Sequence, residues 1–100
     1  MRLPTLKQLK SISGLTAYAD SNIDSYTKNK YEYLSALFDV LKVLRHQPTC
    51  TIDCYDYSGS YTETVTFKRD EVLTLLDISY DDINPLLREL GDYLYNNYKG

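Results

Sequence analysis

The side chains best suited to nucleophilic or metal chemistry are two cysteines, Cys50 and Cys54, and the single histidine, His46. Four residues along an extended strand span about 13 Å, whereas the α-carbons of a disulfide lie at most about 7 Å apart. These cysteines therefore cannot bond to each other. Tetrahedral zinc would need more thiolate or imidazole ligands than the chain supplies. We expect two free, buried thiols, no metal site and no cofactor.

A catalytic centre is equally hard to assemble from these residues. No G-x-S-x-G elbow accompanies His46, which falls at the end of a predicted helix, where the helix dipole favours a cationic side chain. The glycines are isolated from one another, so they form no glycine-rich phosphate loop. The adjacent carboxylates Asp70 and Glu71, like Asp81 and Asp82, stand at predicted helix starts and point apart. The sequence therefore predicts a protein that is not an enzyme.

Charge is divided unevenly between the two halves of the chain. Residues 1–48 contain seven Lys/Arg and four Asp/Glu, a balance of +3, whereas residues 49–100 contain four and ten, a balance of −6; together these give the net charge of −3. A partner that the C-terminal half selects electrostatically should therefore be basic. Direct binding to nucleic acid is not expected, and neither is binding to a membrane.

The last predicted helix, over about 81–97, carries most of this negative charge on its outward positions. We call its outward carboxylates the acidic face, which comprises Asp81, Asp82, Glu89 and Asp92. Arg88 lies among them, and Tyr93, Tyr95 and Tyr98 extend the surface with aromatic rings. One interpretation is that the acidic face occupies a basic groove on another protein. The alternative is a solvated surface that only keeps the protein in solution.

Eleven tyrosines and no tryptophan suggest further contact surfaces, because tyrosine suits surfaces that are half apolar and half wet. The first patch spans residues 26–33, is expected to protrude, and includes Tyr26 and Tyr33 with two lysines between them. Such a patch can stack on single-stranded nucleic acid, or it can contact a partner or a second copy of the chain. The second patch is a predicted hairpin tip with Tyr55, Tyr57 and Tyr61.

The elements that position these residues begin with three segments before Pro48. Thr5 and Gln8 have the spacing of a capping box and predict a short helix over about 5–13, which Gly14 ends. Residues 15–22 show no clear period and are predicted to be a connector. A second helix is predicted to start at Asp24 or Ser25 and to reach Arg45 or His46, with leucines at helical spacing on its inner face.

Residues 49–68 alternate in polarity and predict a β-hairpin with its turn at Ser58 and Gly59. A loop with an even number of residues places Cys50 opposite Phe67 and Ile52 opposite Val65 on an apolar face. It also pairs Thr51 with Thr66, Asp53 with Thr64 and Tyr55 with Thr62 on a hydroxyl-rich face. Because two strands are marginal alone, the apolar face must lie on the helices.

A short helix is predicted over Asp70–Leu76, with Val72, Leu75 and Leu76 inward, and Pro85 falls early in the last helix, where it is tolerated. The inner stripe of that last helix contains Ile83, Leu87, Leu90 and Leu94. The sequence thus predicts one α+β domain over residues 1–100. Its helices pack on one face of a two-stranded antiparallel hairpin, in the order α-α-β-β-α-α.

The segment Val72–Ser79, followed by Ile83, Leu87 and Leu90, resembles a helix-turn-helix unit. The resemblance covers about twenty residues and implies a second helix that enters the major groove of DNA. Four of the five outward residues of that helix here are acidic, which would repel phosphates rather than neutralise them.

The preferred interpretation is a non-enzymatic protein-binding domain: a phage or mobile-element inhibitor of the anti-defence, anti-CRISPR kind that covers a partner's basic nucleic-acid-binding surface. A helix-turn-helix-like transcription regulator and a virion structural or assembly subunit are the alternatives. A homodimer is compatible with the same surfaces. With neither a secretory signal nor an apolar span of about 20 residues, we expect a cytoplasmic protein, in the host cytoplasm if it is viral.

Overall fold

Helices cover one face of a two-stranded hairpin in the computed structural model, which describes residues 2–22, 30–56 and 58–97. Before the hairpin lie α1 (Leu6–Ser11), α2 (Leu15–Asn22) and α3 (Lys30–Leu44). The hairpin consists of β1 (Thr49–Tyr55) and β2 (Tyr61–Lys68). After it come α4 (Arg69–Leu76), a 3-10 helix (Tyr80–Asp82) and α5 (Ile83–Asn96). The predicted α+β class, and the order of helices, hairpin and helices, are confirmed.

The first helix begins as predicted at a capping box. The Thr5 hydroxyl accepts a hydrogen bond from the backbone amide of Gln8 at 3.2 Å, and the side-chain oxygen of Gln8 accepts one from the backbone amide of Thr5 at 2.9 Å. These bonds satisfy two backbone donors that the first turn would leave free. Gly14 then takes a φ of +87°, which turns the chain between α1 and α2.

The connector predicted over residues 15–22 is wrong, because this segment forms α2. Its leading residue, Leu15, and Ala19, one turn later, are completely buried. The Tyr18 hydroxyl donates a hydrogen bond to the carboxylate of Asp39 on α3 at 3.1 Å. Packing against α3 thus stabilises a helix whose own pattern is weak. The predicted start of the next helix, at Asp24 or Ser25, lies outside the described residues.

The hairpin register is confirmed where the two faces separate apolar from hydroxyl side chains, with Cys50 opposite Phe67 and Ile52 opposite Val65. The predicted pairing of Tyr55 with Thr62 is wrong, because a bulge next to Cys54 places Tyr55 opposite Tyr61. The loop comprises residues 56–60, an odd number, and the bulge takes up the extra residue. Apolar and hydroxyl side chains therefore stay on separate faces.

The turn itself is organised by one carboxylate, that of Asp56. It accepts hydrogen bonds from the backbone amides of Ser58 and Ser60 at 3.0 and 2.9 Å, and from the Ser58 hydroxyl at 2.6 Å. These donors, led by the Ser58 hydroxyl, lower the pKa of Asp56. Gly59 takes a φ of +91° within the same turn.

One apolar core lies between the helices and the inner face of the hairpin. Leu34, Leu37 and Leu41 of α3 are completely buried, and Phe67 of β2 packs among the same residues. On α4 the prediction that Leu75 points inward is wrong: it is 38 % exposed, and Leu73 is buried in its place. No helix in the described part of the chain is long and apolar enough to cross a lipid bilayer.

Candidate functional site

The entry to α5 is built by a residue that the sequence assigned to the acidic face. Asp82 is partly buried, and its carboxylate accepts hydrogen bonds from the Ser79 amide at 2.9 Å and the Ser79 hydroxyl at 3.1 Å. These bonds hold the 3-10 turn that leads into α5. One oxygen of the Asp82 carboxylate is therefore committed to the fold, and the role of Asp82 in binding a partner stays a prediction.

Among the exposed residues of α5, three lie at i, i+3 and i+6, with Arg88 beside them, and we call these three the outer row: Glu89, Asp92 and Tyr95. Successive members lie about 60° apart around the helix, so they form a slanted line. Within the described residues neither carboxylate forms an ion pair. The Tyr95 side chain is 85 % exposed. The fold uses none of these groups for its own packing.

Asp81 and His46 meet at the other end of the acidic face. Both line a cavity of about 270 Å³ together with Arg45, Tyr80, Ile83 and Asn84. No serine or cysteine is among the described residues that line it. The Tyr80 hydroxyl donates to the backbone carbonyl of Arg45 at 2.7 Å and ties the start of α5 to the end of α3.

Two of the predicted contact tyrosines take part in the packing of the helices. Tyr33 is only 3 % exposed and its hydroxyl is hydrogen-bonded to the Thr16 hydroxyl at 3.0 Å, so the expectation that it protrudes is wrong. Tyr93 is partly buried, and its ring lies 6.4 Å from that of Tyr31 on α3. Such contacts fix α5 on α3. Tyr26, Tyr57 and Tyr98 lie outside the described residues.

The hairpin tip presents an aromatic pair. The rings of Tyr55 and Tyr61 lie edge to face with centroids 6.0 Å apart, and the side chains remain 44 % and 58 % exposed. The bulge brings them together, because it makes these residues direct cross-strand neighbours. This pair is a second exposed surface, on a different element from the outer row.

The cysteines lie on the inner face of β1, where the alternation of the strand placed them. Cys50 is 5 % exposed and Cys54 is completely buried, and neither forms a disulfide bond. Burial raises the pKa of the Cys50 thiol, because the thiolate would lose its hydration. Among residues 2–22, 30–56 and 58–97 there is no group of three or more His, Cys, Asp or Glu side chains that could hold a metal ion.

Sequence reasoning missed the flank of α5 that faces α3. There Asn84 and Arg88 of α5 face Lys42 of α3 and Arg45, the residue that follows α3, across a groove. Lys42 and Arg45 are three residues apart and Asn84 and Arg88 four, which is the spacing of one helix face in each case. That signal is present in the sequence, but the adjacency of the two helices is not.

The helix-turn-helix resemblance holds for the local order of elements but not for the packing. Helix α4 packs chiefly on α1 and β2, whereas the main neighbour of α5 is α3. Comparison with protein-family models, with curated proteins and with solved structures finds no match to this chain. Fold and site together therefore define a small α+β domain with an exposed acidic and aromatic helix face.

Proposed function

We propose that the protein is a non-enzymatic binding domain that uses the outer row of α5 to cover a basic surface on another protein. Glu89 and Asp92 supply the negative charge, and Tyr95 supplies contact area at a small cost in conformational entropy. The observation that supports this proposal best is the exposure of all three side chains in one row without any role in the fold.

The proposal extends to the kind of surface that is covered. A row of carboxylates beside an aromatic ring imitates the spaced charges and flat bases of a nucleic acid strand. A basic groove that normally holds nucleic acid would accept it through the same cations. This is how an anti-defence inhibitor encoded by a phage or mobile element would act in the host cytoplasm, and the excess of acidic residues over 49–100 supports the same interpretation.

Charge in the outer row should matter to binding far more than to folding. Exposed carboxylates of this kind contribute at most a few tenths of a kcal/mol to the free energy of unfolding. Across an interface, complementary charges increase the association rate and select the partner. Binding and stability can therefore be separated by substitution at Glu89 and Asp92, while Asp82 is left intact because Ser79 depends on it.

The test is affinity capture from a lysate of the source cells, with bound proteins quantified by mass spectrometry. The wild type is compared with Glu89→Gln/Asp92→Asn and with a control, Glu63→Gln/Asp77→Asn. The control also removes two exposed carboxylates, but from β2 and the end of α4. Asn at position 77 tolerates the left-handed backbone found there. Circular dichroism and the melting temperature should be unchanged in both variants.

We expect the outer-row variant to capture at least tenfold less of the partner than the wild type and the control do. The affinity of the wild type for that partner should also fall as salt is added. Equal capture of the same proteins by all three forms would contradict the proposal. In that case the tyrosine pair at the hairpin tip, Tyr55 and Tyr61, becomes the surface to substitute next.

A further inference from the structure

A groove of about 530 Å³ runs between α3 and α5, next to the outer row, since its Arg88 directly precedes Glu89 in α5. It is lined by Phe38 and Lys42 of α3, by Arg45 just after that helix, and by Asn84, Leu87 and Arg88 of α5. Three of the six are cations, and none is a carboxylate. In a chain with net charge −3, such a concentration of positive charge is unusual.

The guanidinium groups in this groove are not neutralised by the protein. Neither Arg45 nor Arg88 forms an ion pair within the described part of the chain. Arg88 lies one helical turn before Asp92, a spacing at which an ion pair can form, yet it lines the groove beside Lys42 and Arg45 instead. An anion placed among these side chains would be attracted by all of them.

Lys42 is partly committed to its own helix. Its ammonium lies 3.4 Å from the carboxylate of Asp39 and 4.6 Å from the centroid of the Phe38 ring. These contacts position the ammonium at the rim and leave its remaining donors available. The Leu87 side chain, 7 % exposed, and the half-buried Phe38 form an apolar floor. The three cations themselves are exposed, so their attraction for an anion is sensitive to salt.

We propose that this groove binds the diphosphate group of a small phosphorylated molecule. Arginine guanidinium groups match phosphate oxygens with paired, charge-assisted hydrogen bonds. Arg45 and Arg88 carry two unpaired charges, and Asp39 balances only part of the charge of Lys42, so the groove exceeds the charge of one phosphate monoester, about −1.5 to −2 at neutral pH, and suits two phosphoryl groups. The Asn84 amide adds a donor on the α5 side. The proposal does not depend on the partner of the outer row, because the two surfaces use different residues.

The test uses two probes, inorganic pyrophosphate and ADP, titrated by calorimetry and by NMR. Three variants are compared with the wild type. Arg45→Gln/Arg88→Gln removes two groove cations, and Lys7→Gln/Lys10→Gln removes two exposed cations from α1. Glu89→Gln/Asp92→Asn alters only the outer row. Replacing the Arg45 side chain leaves its backbone carbonyl in place for Tyr80.

We expect both probes to bind and to shift the signals of Phe38, Asn84 and Arg88. Affinity should fall at least tenfold in the arginine variant, stay within about twofold in the α1 control, and decrease as salt rises. Tighter binding of ADP than of pyrophosphate would place the nucleoside on the apolar floor. Equal affinities would show that the diphosphate alone is recognised.

Two results would overturn the proposal. One is the absence of binding by either probe at about 1 mM, a concentration at which even a weak specific site is half filled. The other is an equal loss of affinity in the arginine variant and the α1 control, which would indicate only general attraction to positive charge. The outer-row variant separates the two proposals, because it should lose partner capture and keep diphosphate binding.

Discussion

Side chains of the same type have different roles in this protein according to what lies within hydrogen-bonding distance. Asp82 and Asp92 are both carboxylates at the surface of one helical segment. Asp82 accepts two hydrogen bonds from Ser79 and organises the entry to α5, whereas Asp92 is exposed. Tyr33 and Tyr95 differ in the same way, one hydrogen-bonded in the core and the other 85 % exposed. Residue type and spacing alone do not show which of these side chains are bonded within the fold and which are exposed.

The cysteines support a prediction at the same scale, because burial controls their reactivity. We expect alkylation of both thiols to be slow in the native protein at pH 8 and complete within minutes in denaturant, since the thiolate is the reactive form. Intact mass after timed alkylation measures this. The pKa of the Cys50 thiol is raised in the folded state. The contribution of this thiol to the free energy of unfolding is therefore fully present below about pH 8.5 and is lost as pH rises further. An intramolecular disulfide in the native mass would contradict the hairpin geometry.

Elements with strong local patterns could be predicted from the sequence. The capping box of Thr5 and Gln8, the alternation over β1 and β2, and Pro85 in the first turn of α5 each reflect interactions between residues close in the chain. Helix α2 could not be predicted in this way. Its stability comes from burial of Leu15 and Ala19 against α3, contacts that exist only once the chain is folded.

Gly14 lies between α1 and α2 and close to β2, and a substitution can measure how much this close approach matters to stability. Its φ is +87°, and a Cβ built there would lie 2.9 Å from the Cβ of Val65 on β2. Gly14→Ala should therefore combine backbone strain with overpacking and reduce the free energy of unfolding by about 2–4 kcal/mol. Gly59→Ala is the control, because Gly59 has a φ of +91° and open space around it.

For the control we expect only the backbone cost, about 1 kcal/mol. Urea denaturation followed by circular dichroism compares the two variants. Equal destabilisation would mean that the close approach of Gly14 to β2 does not contribute, and that the turn conformation alone accounts for both effects. A larger loss at Gly14 would confirm that this turn is packed against the hairpin.

Across the whole molecule, α5 carries groups of opposite charge next to each other. Arg88 lines the groove shared with α3, and Glu89 and Asp92 lie beside it on the exposed surface. The sequence predicted the acidic surface, since its residues belong to a single helix. It could not predict the groove, because Arg45 and Arg88 are brought together only by the packing of α3 on α5. The summed charges of the two halves of the chain give no information about this arrangement.

This division of charge leads to a prediction about DNA. A duplex long enough to bind would bring phosphates onto the groove and also onto Glu89 and Asp92, which repel them. Three groove cations would release few counterions, and the net charge of −3 opposes association. We therefore expect no saturable binding of duplex DNA at about 150 mM salt. Fluorescence anisotropy with a labelled duplex of mixed sequence provides the measurement.

The same variants make this prediction sharp. At low salt, Glu89→Gln/Asp92→Asn should bind DNA more tightly than the wild type, because repulsion is removed while the groove stays intact. Also at low salt, Arg45→Gln/Arg88→Gln should abolish the weak binding of DNA, because it removes two of the cations that attract the phosphates. Added salt should weaken binding for the same reason, since it screens that attraction. Sub-micromolar binding by the wild type that persists at about 150 mM salt would instead favour a transcription regulator that reads DNA with α5. That result would also require the outward carboxylates of α5 to lie away from the phosphates.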